Sequence, residues 1–348
     1  MNGKSDPKER RNRVIILCVF YVIVFLILTL GVKTYALKNR KHKNFFSVIV
    51  PFRNEKKHLP SFLQAMKNQS WPHFEMIFVN DHSADQGEEL FSREEVTVLH
   101  LIDEYGKLAA LGKGSTMANG DYLTFTDADC VPPPKWLESL NRSIHEEAVL
   151  YAGFVEIRGS SFFTLDMYML IGIAAGLDFY RIPSSCAGGN LTVRRDIYEL
   201  FLMENTDSES LTEDALLLHT VAKHRWGDSF FLFDPNTVVK TEKYASVKEF
   251  VQQRLRWLKG GYRLDLRLFL FLAFIFVCHV LFVLSPLYLI PAALAQFVFL
   301  RTLLKRFDRV KLLYLFPFYF VFHVIYTILS GLLFLFLSGE VEWKGRKY

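Results

Sequence analysis

The chain has 348 residues, of which 51% are hydrophobic and 22% are charged, and its formal net charge is +5. The length suits one large domain or two modest ones. The composition excludes both a disordered chain and an ordinary soluble enzyme. Basic residues cluster at positions 8–13, 38–43 and 301–311, directly beside apolar runs. Such clusters are typical of cytosolic membrane flanks, so the charge predicts contact with a bilayer and no nucleic-acid partner.

Apolar residues are concentrated near both ends of the chain. Residues 14–32 form an almost unbroken apolar run, and residues 264–300 and 312–337 supply more. Because a helix needs roughly 20 apolar residues to cross a bilayer core, the sequence predicts one N-terminal transmembrane helix and two to three C-terminal ones. A cleaved signal peptide is the alternative for the first run. That run exceeds the ~7–15 apolar residues usual for a signal peptide, and no small-residue cleavage site follows it.

The basic C-terminal tail conflicts with three full crossings of the bilayer. If all the C-terminal runs cross, a cytosolic middle region leaves residues 343–348 (WKGRKY) on the far side. The three basic residues of this tail favour the cytosolic side instead. One run is therefore expected to be re-entrant or interfacial, and Pro286 and Pro291 make the stretch 264–300 the candidate.

The middle of the chain, about two hundred residues long, alternates strand-like and helix-like patterns. The predicted strands cover residues 46–51, 75–79, 96–102 and 122–126, and the predicted helices cover residues 56–68 and 107–118. This alternation predicts an open α/β sheet. Ligands of such sheets bind at the carboxyl ends of the strands. The sequence places polar residues at three of these ends, at positions 53–55, 81 and 127–129.

The second half of the middle region is less regular. Residues 162–177 are strongly apolar but short and interrupted by glycine, which predicts a helix packed against the core or dipping towards the membrane surface. A helix is predicted at residues 211–223 with Thr212 as its N-cap. An amphipathic helix is predicted at residues 247–262, leading directly into the next apolar run.

Two carboxylates follow the fourth predicted strand, at Asp127 and Asp129. Two acidic residues at this spacing can hold one hard cation and leave coordination positions for substrate phosphates, as Mg²⁺ sites do. A solvated acidic turn before three consecutive prolines explains the pair equally well on its own.

Two further positions suit a nucleotide. Asp81 ends the second predicted strand and can accept hydrogen bonds from a base or ribose, although a turn or N-cap role is the alternative. Gly106 and Lys107 open a helix, where backbone N–H groups and an ammonium suit an anion. The spacing is not that of a P-loop.

Two later motifs carry polar side chains of catalytic type. Asp214, after Glu213, is a candidate general base for an acceptor hydroxyl, but complementarity to the helix dipole explains both acids when they are taken alone. Gln253, Arg256 and Trp257 share one helical face and suit a phosphate together with a sugar or lipid. An aromatic and basic belt at the membrane interface, which includes Arg254, is the alternative.

Taken in order, these motifs resemble the membrane-integrated members of the family 2 glycosyltransferases, which have the GT-A fold. Each motif is weak alone, but their order and spacing are specific, and they cover roughly residues 46–262. The segments that carry the resemblance are 48–55 (VIVPFRNE), 79–81 (VND), 106–107 (GK), 126–129 (TDAD), 187–190 (AGGN), 212–214 (TED) and 253–257 (QRLRW).

The resemblance implies a nucleotide-sugar donor linked to UDP or GDP and a divalent metal, Mg²⁺ or Mn²⁺. Asp127 and Asp129 would hold the metal, and Asp214 would be the catalytic base. The positions implied for the donor are Pro51, Arg53, Glu55, Asp81, Lys107, Asp127 and Gly189. The positions implied for the acceptor and the diphosphate are Glu213, Gln253, Arg254, Arg256 and Trp257.

The implied reaction is a single in-line displacement with inversion, which needs no enzyme nucleophile. The apolar runs are too few for a polymer-secreting channel. We therefore predict transfer of one sugar to a lipid or lipid-linked acceptor at the cytosolic face of the inner membrane, with a processive polysaccharide synthase as the alternative. The resemblance divides the chain into an anchor (1–43), a GT-A catalytic domain (44–245), an interface helix (246–263) and a C-terminal membrane region with a basic tail (264–348).

Two other classes of protein stay open. A nucleotidyltransferase can share the fold but ordinarily has a glycine-rich, basic triphosphate loop after its first strand, where this chain has residues 51–55 (PFRNE). A catalytically silent membrane scaffold is disfavoured, because such a protein has no need of Asp127, Asp129 and Asp214 together.

Overall fold

The computed structural model describes residues 7–34, 43–91, 96–205, 212–244, 246–260, 265–336, 342–343 and 346–347. Seven strands form the main sheet: β1 (Phe46–Phe52), β2 (Phe74–Asn80), β3 (Thr97–His100), β4 (Tyr122–Phe125), β5 (Ala148–Ala152), β7 (Leu191–Arg194) and β8 (Asp228–Phe231). Two short pairs accompany it: β6 (Val155–Ile157) with β9 (Val239–Thr241), and β10 (Glu342–Trp343) with β11 (Arg346–Lys347).

Eleven α-helices surround the sheet or follow it within the described residues. They are α1 (Pro7–Thr34), α2 (Leu59–Lys67), α3 (Lys107–Ser115), α4 (Trp136–Ser143), α5 (Ser161–Phe179), α6 (Arg195–Glu204), α7 (Glu213–His224), α8 (Val247–Gly260), α9 (Leu266–Leu284), α10 (Leu289–Lys305) and α11 (Phe316–Phe336).

The sheet has the strand order β3-β2-β1-β4-β7-β5-β8. Strands β3, β2, β1 and β4 are mutually parallel, whereas β7 runs antiparallel to both of its neighbours. Val48, Ile49 and Val50 of β1 are all fully buried, as expected for a central strand covered on both faces. The prediction of an open mixed α/β sheet is confirmed.

The four strands and two helices predicted in the first half are all present, with small shifts of their ends. The third strand is shorter than predicted because Ile102 leaves the sheet and is 78% exposed. Helix α3 packs closely on the sheet at Gly114, where an added Cβ would lie 2.5 Å from Ile49 Cγ2. Thr212 is the N-cap residue of α7, but its side chain makes no capping hydrogen bond to the described backbone.

Helix α5 is largely buried between the sheet domain and the apolar helices, as the prediction of a packed helix requires. Ser160 caps it by accepting a hydrogen bond from the backbone N–H of Phe163 at 3.3 Å. Its glycines allow close approach of neighbouring helices. An added Cβ would lie 2.3 Å from Leu303 of α10 at Gly172, and 3.0 Å from Leu28 of α1 at Gly176.

Five described helical segments are long and apolar enough to cross a membrane: Arg11–Thr34, Ser161–Phe179, Leu266–Leu284, Pro286–Lys305 and Val310–Phe334. The predicted run at 264–300 falls into the two helices α9 and α10, which a short turn at Pro286–Tyr288 separates. Pro291 lies in the first turn of α10, where its missing N–H breaks no helical hydrogen bond.

The backbone of β10, in the C-terminal tail, lies beside α8. This contact places the backbone of Glu342 and Trp343 next to the predicted interface helix. The tail side chains and the basic cluster at 38–41 lie outside the described residues.

Asn190 joins three parts of the sheet domain through buried hydrogen bonds. Its Nδ2 donates to the carbonyl oxygens of Phe154 (2.9 Å) and Thr237 (2.7 Å), and its Oδ1 accepts from Trp136 Nε1 (3.0 Å). The neighbouring Gly153 leaves the room for it, because an added Cβ would lie 2.1 Å from Asn190 Nδ2.

We expect Asn190→Ala to destabilise the fold by roughly 3 kcal/mol, because two buried carbonyls and a buried indole N–H would lose their partner. Thermal unfolding of the detergent-purified chain should show a clearly lower midpoint. Among the described residues, the side chain of the exposed Asn236 bonds to Asp234 of its own turn, so Asn236→Ala is the matched control. Equal midpoints for the two variants would contradict this role of Asn190.

Candidate active site

The site forms where parallel strands end at one edge of the sheet. β1 leads into Arg53 and Glu55, β2 into Asp81, and β4 into Asp127. The loop after β1 and the loop after β2 are joined by a hydrogen bond. Asn54 Oδ1 accepts from the backbone N–H of Ala84 at 2.8 Å, and Asn54 itself takes a left-handed conformation (φ 56°) to make this turn.

Asp81 is buried at the end of β2. Its Oδ2 accepts a hydrogen bond from the backbone N–H of Gly106 at 3.3 Å, and its Oδ1 lies 3.2 Å from Nδ1 of His82. The His82 ring stacks on the largely exposed ring of Tyr105, with 4.3 Å between centroids. The carboxylate therefore lies between the two loops that precede and follow β3.

Lys107 forms an ionic bridge inside the site. Its Nζ lies 2.7 Å from Asp127 Oδ1 and 2.9 Å from Glu213 Oε1. Burial alone would lower the pKa of Lys107, but the two carboxylates outweigh burial and raise that pKa above its usual value. The lysine predicted to bind an anion thus also links α3, the loop after β4, and α7.

Asp127, Asp129 and Cys130 have ligand atoms within 4.8 Å of one another. Burial, followed by the nearby Asp129 and Asp127, raises the pKa of the Cys130 thiol well above its usual value. The two carboxylates are the hard oxygen donors of this group. Thr241 Oγ1 orients Asp129 by donating to its Oδ2 at 3.0 Å. A pair of carboxylates fits a hard cation such as Mg²⁺ or Mn²⁺.

Asp214 lies in the first turn of α7, where two backbone N–H groups hold it. Its Oδ2 accepts from Gly188 at 2.9 Å and its Oδ1 from Ala215 at 2.8 Å. Burial, reinforced by the neighbouring Glu213, raises the pKa of Asp214 to about 6. A carboxyl group with this pKa can accept a proton near neutral pH.

Gly188 and Gly189 leave room for these carboxylates. An added Cβ at Gly188 would lie 3.2 Å from Asp214 Oδ2, and one at Gly189 would lie 3.0 Å from Asp127 Oδ2. The loop before β7 therefore approaches both acids more closely than a residue with a side chain would allow.

Helix α8 supplies the remaining predicted residues. Gln253 accepts a hydrogen bond from the Tyr244 hydroxyl at 2.7 Å. Arg254 is only 3% exposed and forms an ion pair with the buried Asp166 of α5, so it does not belong to an exposed interfacial belt. Asp166 was not among the predicted site residues, although a lone acid in an apolar stretch is a signal for a functional or paired position.

All the predicted site residues line one cavity of about 1010 Å³. The polar end of this cavity holds the acidic residues described above. From there the cavity continues between α5, α9 and α11 into an apolar chamber, which also receives a few polar side chains of α11. The apolar chamber is lined by Met167, Leu170, Ile171, Ala174, Leu268, Leu272, Ile275, Phe276, His323, Tyr326, Thr327, Ser330 and Phe334.

A family model described as glycosyl transferase family 2 matches residues 47–201, which run from the second residue of β1 through β7 and include Asp127 and Asp129. This part of the chain is therefore similar to glycosyl transferase family 2. The probable glycosyltransferase YdaM of Bacillus subtilis is 26% identical over 244 residues, 64% of this chain and 57% of that protein. The undecaprenyl-phosphate 4-deoxy-4-formamido-L-arabinose transferase of Photorhabdus laumondii is 28% identical over 109 residues, 29% of this chain and 34% of that protein.

Among solved structures, the chain is similar to the mannosyltransferase PcManGT from Pyrobaculum calidifontis, solved in complex with GDP-Man and Mn²⁺. The TM-score is 0.59 at 15% sequence identity, and the match covers 94% of this chain and 99% of that one. This likeness supports the GT-A type of fold. The chain spans between 35% and 57% of the length of three curated relatives that it matches.

We expect Asp129→Ala to abolish stabilisation of the protein by Mn²⁺ with a nucleoside diphosphate. Saturating ligand at about 100 times its Kd stabilises a folded protein by about 2.7 kcal/mol, which a thermal shift measures directly. Asp129 is the sharper choice because Asp127 also pairs with Lys107. The exposed Asp103 lies outside the cavity, so Asp103→Ala is the control. An unchanged Mn²⁺-dependent shift in Asp129→Ala would refute the metal assignment.

Proposed function

We propose that this protein is a membrane-bound inverting glycosyltransferase. It transfers one sugar from a UDP- or GDP-linked donor to a lipid or lipid-linked acceptor at the cytosolic membrane face. The observation that carries this proposal is the continuity of the cavity, which joins the acidic pocket at the sheet edge to an apolar chamber between helices. The match of residues 47–201 to the glycosyl transferase family 2 model supports the reaction class.

The donor would bind at the strand ends. Asp81 is placed to accept hydrogen bonds from the base or ribose, and Pro51, Arg53 and Glu55 line the same end of the cavity. Asp127 and Asp129 would hold a divalent cation, which offsets charge on the diphosphate. The Mn²⁺ and GDP-Man in the similar archaeal mannosyltransferase support this arrangement.

Asp214 is the proposed general base. It takes the proton of the acceptor hydroxyl while the hydroxyl oxygen forms a bond to the anomeric carbon of the sugar. The bond from that carbon to the diphosphate oxygen breaks, and its electron pair leaves with the nucleoside diphosphate. Attack occurs opposite the leaving group, so the configuration inverts. Arg256 of α8 lies close enough to lower the pKa of Asp214, and with Gln253 and Trp257 it would cover the diphosphate and the acceptor end.

The apolar chamber is the proposed acceptor site. Phe269, Leu272 and Phe334 line it and are each more than a third exposed, so the chamber opens sideways between α9 and α11. A lipid tail can enter there while its headgroup reaches Asp214. The name of the Photorhabdus relative, an undecaprenyl-phosphate transferase, supports a lipid-linked acceptor. The basic residues that flank the apolar runs support a cytosolic location for the catalytic domain, residues 44–245. The apolar helices would anchor it to the inner membrane.

We expect Asp214→Asn to lower kcat by about 10²- to 10⁴-fold, because proton removal by a placed base contributes that much. Donor affinity should stay near that of the wild type. Below pH 6 the wild-type rate should fall about tenfold per pH unit, since the base form of a group with a pKa of about 6 is lost. Steady-state nucleotide release from pH 5 to 9 tests both. Normal turnover of the folded variant would exclude Asp214 as the base.

Filling the chamber should block lipid transfer without harming the donor site. We expect Ser330→Phe to raise the KM for a long-chain lipid at least tenfold and leave nucleotide binding unchanged. Leu329→Phe is the matched control, because Leu329 is 54% exposed on the outer side of the same helix and does not line the cavity. If both variants transferred sugar equally well, the chamber would not be the acceptor site.

A further inference from the structure

The segment before α11 is fixed to the sheet domain. A short 3-10 turn, Val310–Leu315, packs on α5. Arg309, just before this turn, pairs with the buried Glu156 of β6, with 2.7 Å between Arg309 Nε and Glu156 Oε1. In the first turn of α11, the Tyr319 hydroxyl donates to Asp166 of α5 at 3.2 Å. Helix α11 therefore begins on the side of the molecule that holds the catalytic site.

Helix α11 then runs beside α8 and in the same direction. The ring centroids of Phe250 in α8 and Phe322 in α11 are 6.3 Å apart. Four residues further along both helices, the guanidinium carbon of Arg254 lies 5.7 Å from the centroid of the Tyr326 ring. Helix α8 carries several charged residues, which are costly in the core of a bilayer. The axis of α11 therefore follows a helix that is predicted to lie at the membrane surface.

The chain is again beside α8 soon after α11 ends. The helix ends at Phe336, and the backbone of Glu342 and Trp343 lies beside α8. The six peptide steps from Phe336 to Glu342 span at most roughly 20 Å, whereas the hydrocarbon core of a bilayer is about 30 Å thick. With its 21 residues, α11 is long enough to cross that core, but a crossing would leave Glu342 too far from α8. Both ends of α11 therefore lie on the catalytic side.

The two sides of α11 differ in what they face. One side contributes His323, Tyr326, Thr327 and Ser330 to the lining of the cavity. The opposite side carries apolar side chains three or four residues apart, each more than 40% exposed: Phe318, Val321, Ile325, Leu329 and Leu332. The helix contains no Asp, Glu, Lys or Arg. A continuous exposed apolar stripe of this kind suits contact with acyl chains, as in a helix that lies in the plane of a leaflet.

Basic residues flank α11 at both ends. Arg301, Lys305 and Lys311 precede the helix and are exposed, and residues 343–348 (WKGRKY) follow it. Lys and Arg beside an apolar segment favour the cytosolic side and its anionic headgroups. The charge on both flanks therefore fits a helix whose two ends lie on the same side of the membrane.

We propose that α11 does not cross the bilayer. It lies along the leaflet on the catalytic side, with its exposed apolar stripe against the acyl chains, and residues 342–347 stay on the same side as the sheet domain. The segment that removes the conflict over the basic tail is then α11 and not the stretch 264–300, so that α9 and α10 can cross together as a hairpin. This arrangement goes beyond the proposed reaction, and its test needs no activity.

The first experiment determines on which side Glu342 lies. The full-length protein is placed in membrane vesicles of known orientation, and single cysteines are labelled with a charged maleimide that does not cross the bilayer. Glu342→Cys reports on the segment after α11, and Asp103→Cys reports on an exposed position of the sheet domain. The four native cysteines are buried, so the unsubstituted protein gives the background.

We expect the two variants to be labelled in the same vesicles and not in vesicles of the opposite orientation. Opening the vesicles with detergent should label both variants fully, which controls for thiol reactivity. Labelling of Glu342→Cys only in the vesicles that protect Asp103→Cys would overturn the proposal.

The second experiment measures the depth of α11 in liposomes. Nitroxide labels are placed singly at Phe318, Ile325 and Leu332, and their collisions with oxygen and with a water-soluble nickel complex give the depth. Phe318 and Leu332 are 14 residues apart, about 21 Å along a helix axis. For a helix in the leaflet plane, the three depths should agree within about 5 Å. A label at Ile325 about 10 Å deeper than both others would indicate a crossing helix and refute the proposal.

Helix α1 supplies a matched control with the same spacing. Its exposed residues Ile16, Ile23 and Leu30 are also seven positions apart, and α1 is the predicted N-terminal transmembrane helix. The label at Ile23 should be clearly deeper than the other two. Because all the labelled positions are exposed, thermal midpoints should stay within about 2 °C of the unsubstituted protein. Leu329, on the same stripe, replaces Ile325 if that variant unfolds early.

Discussion

Five carboxylates converge at one edge of the sheet. Their mutual repulsion must be offset by the surrounding residues for the site to form. They belong to Asp81, Asp127, Asp129, Glu213 and Asp214. Lys107 offsets two of them directly, and backbone N–H groups of the glycine-containing loops bond two others. These contacts explain why α3 and α7 begin at this edge, where their N-terminal N–H groups favour negative charge.

Burial of this cluster has a functional consequence. Burial first, and the neighbouring Glu213 second, raise the pKa of Asp214 to about 6. A base for an acceptor hydroxyl needs such a value, since a carboxylate of ordinary pKa would hold a proton too weakly. The acidic cluster would also gain stability from a bound cation at Asp127 and Asp129. In the proposed mechanism, the close packing of the carboxylates therefore favours both proton transfer to Asp214 and cation binding at Asp127 and Asp129.

Much of the donor side could be predicted from the sequence, because the carboxyl ends of parallel strands meet at one edge. A short apolar run that ends in Asp81 or Asp127 predicts both a buried strand and a polar residue of the site at its end. The acceptor side could not be predicted in the same way. Asp166 meets Arg254 across 88 positions of the chain, and the chamber depends on how α5, α9 and α11 pack. The strands β7 and β8 were not predicted.

Helix α5 connects the two halves of the molecule. Its glycines let α1 and α10 approach on one side, and its buried Asp166 contacts α8 and α11 through Arg254 and Tyr319. A buried ion pair between helices adds little stability over apolar packing. We propose that this pair instead fixes how α5 and α8 are aligned, and with it the shape of the cavity that both helices line. In the proposed reaction, an acceptor hydroxyl would approach Asp214 from the apolar side, where little water competes with it for the sugar.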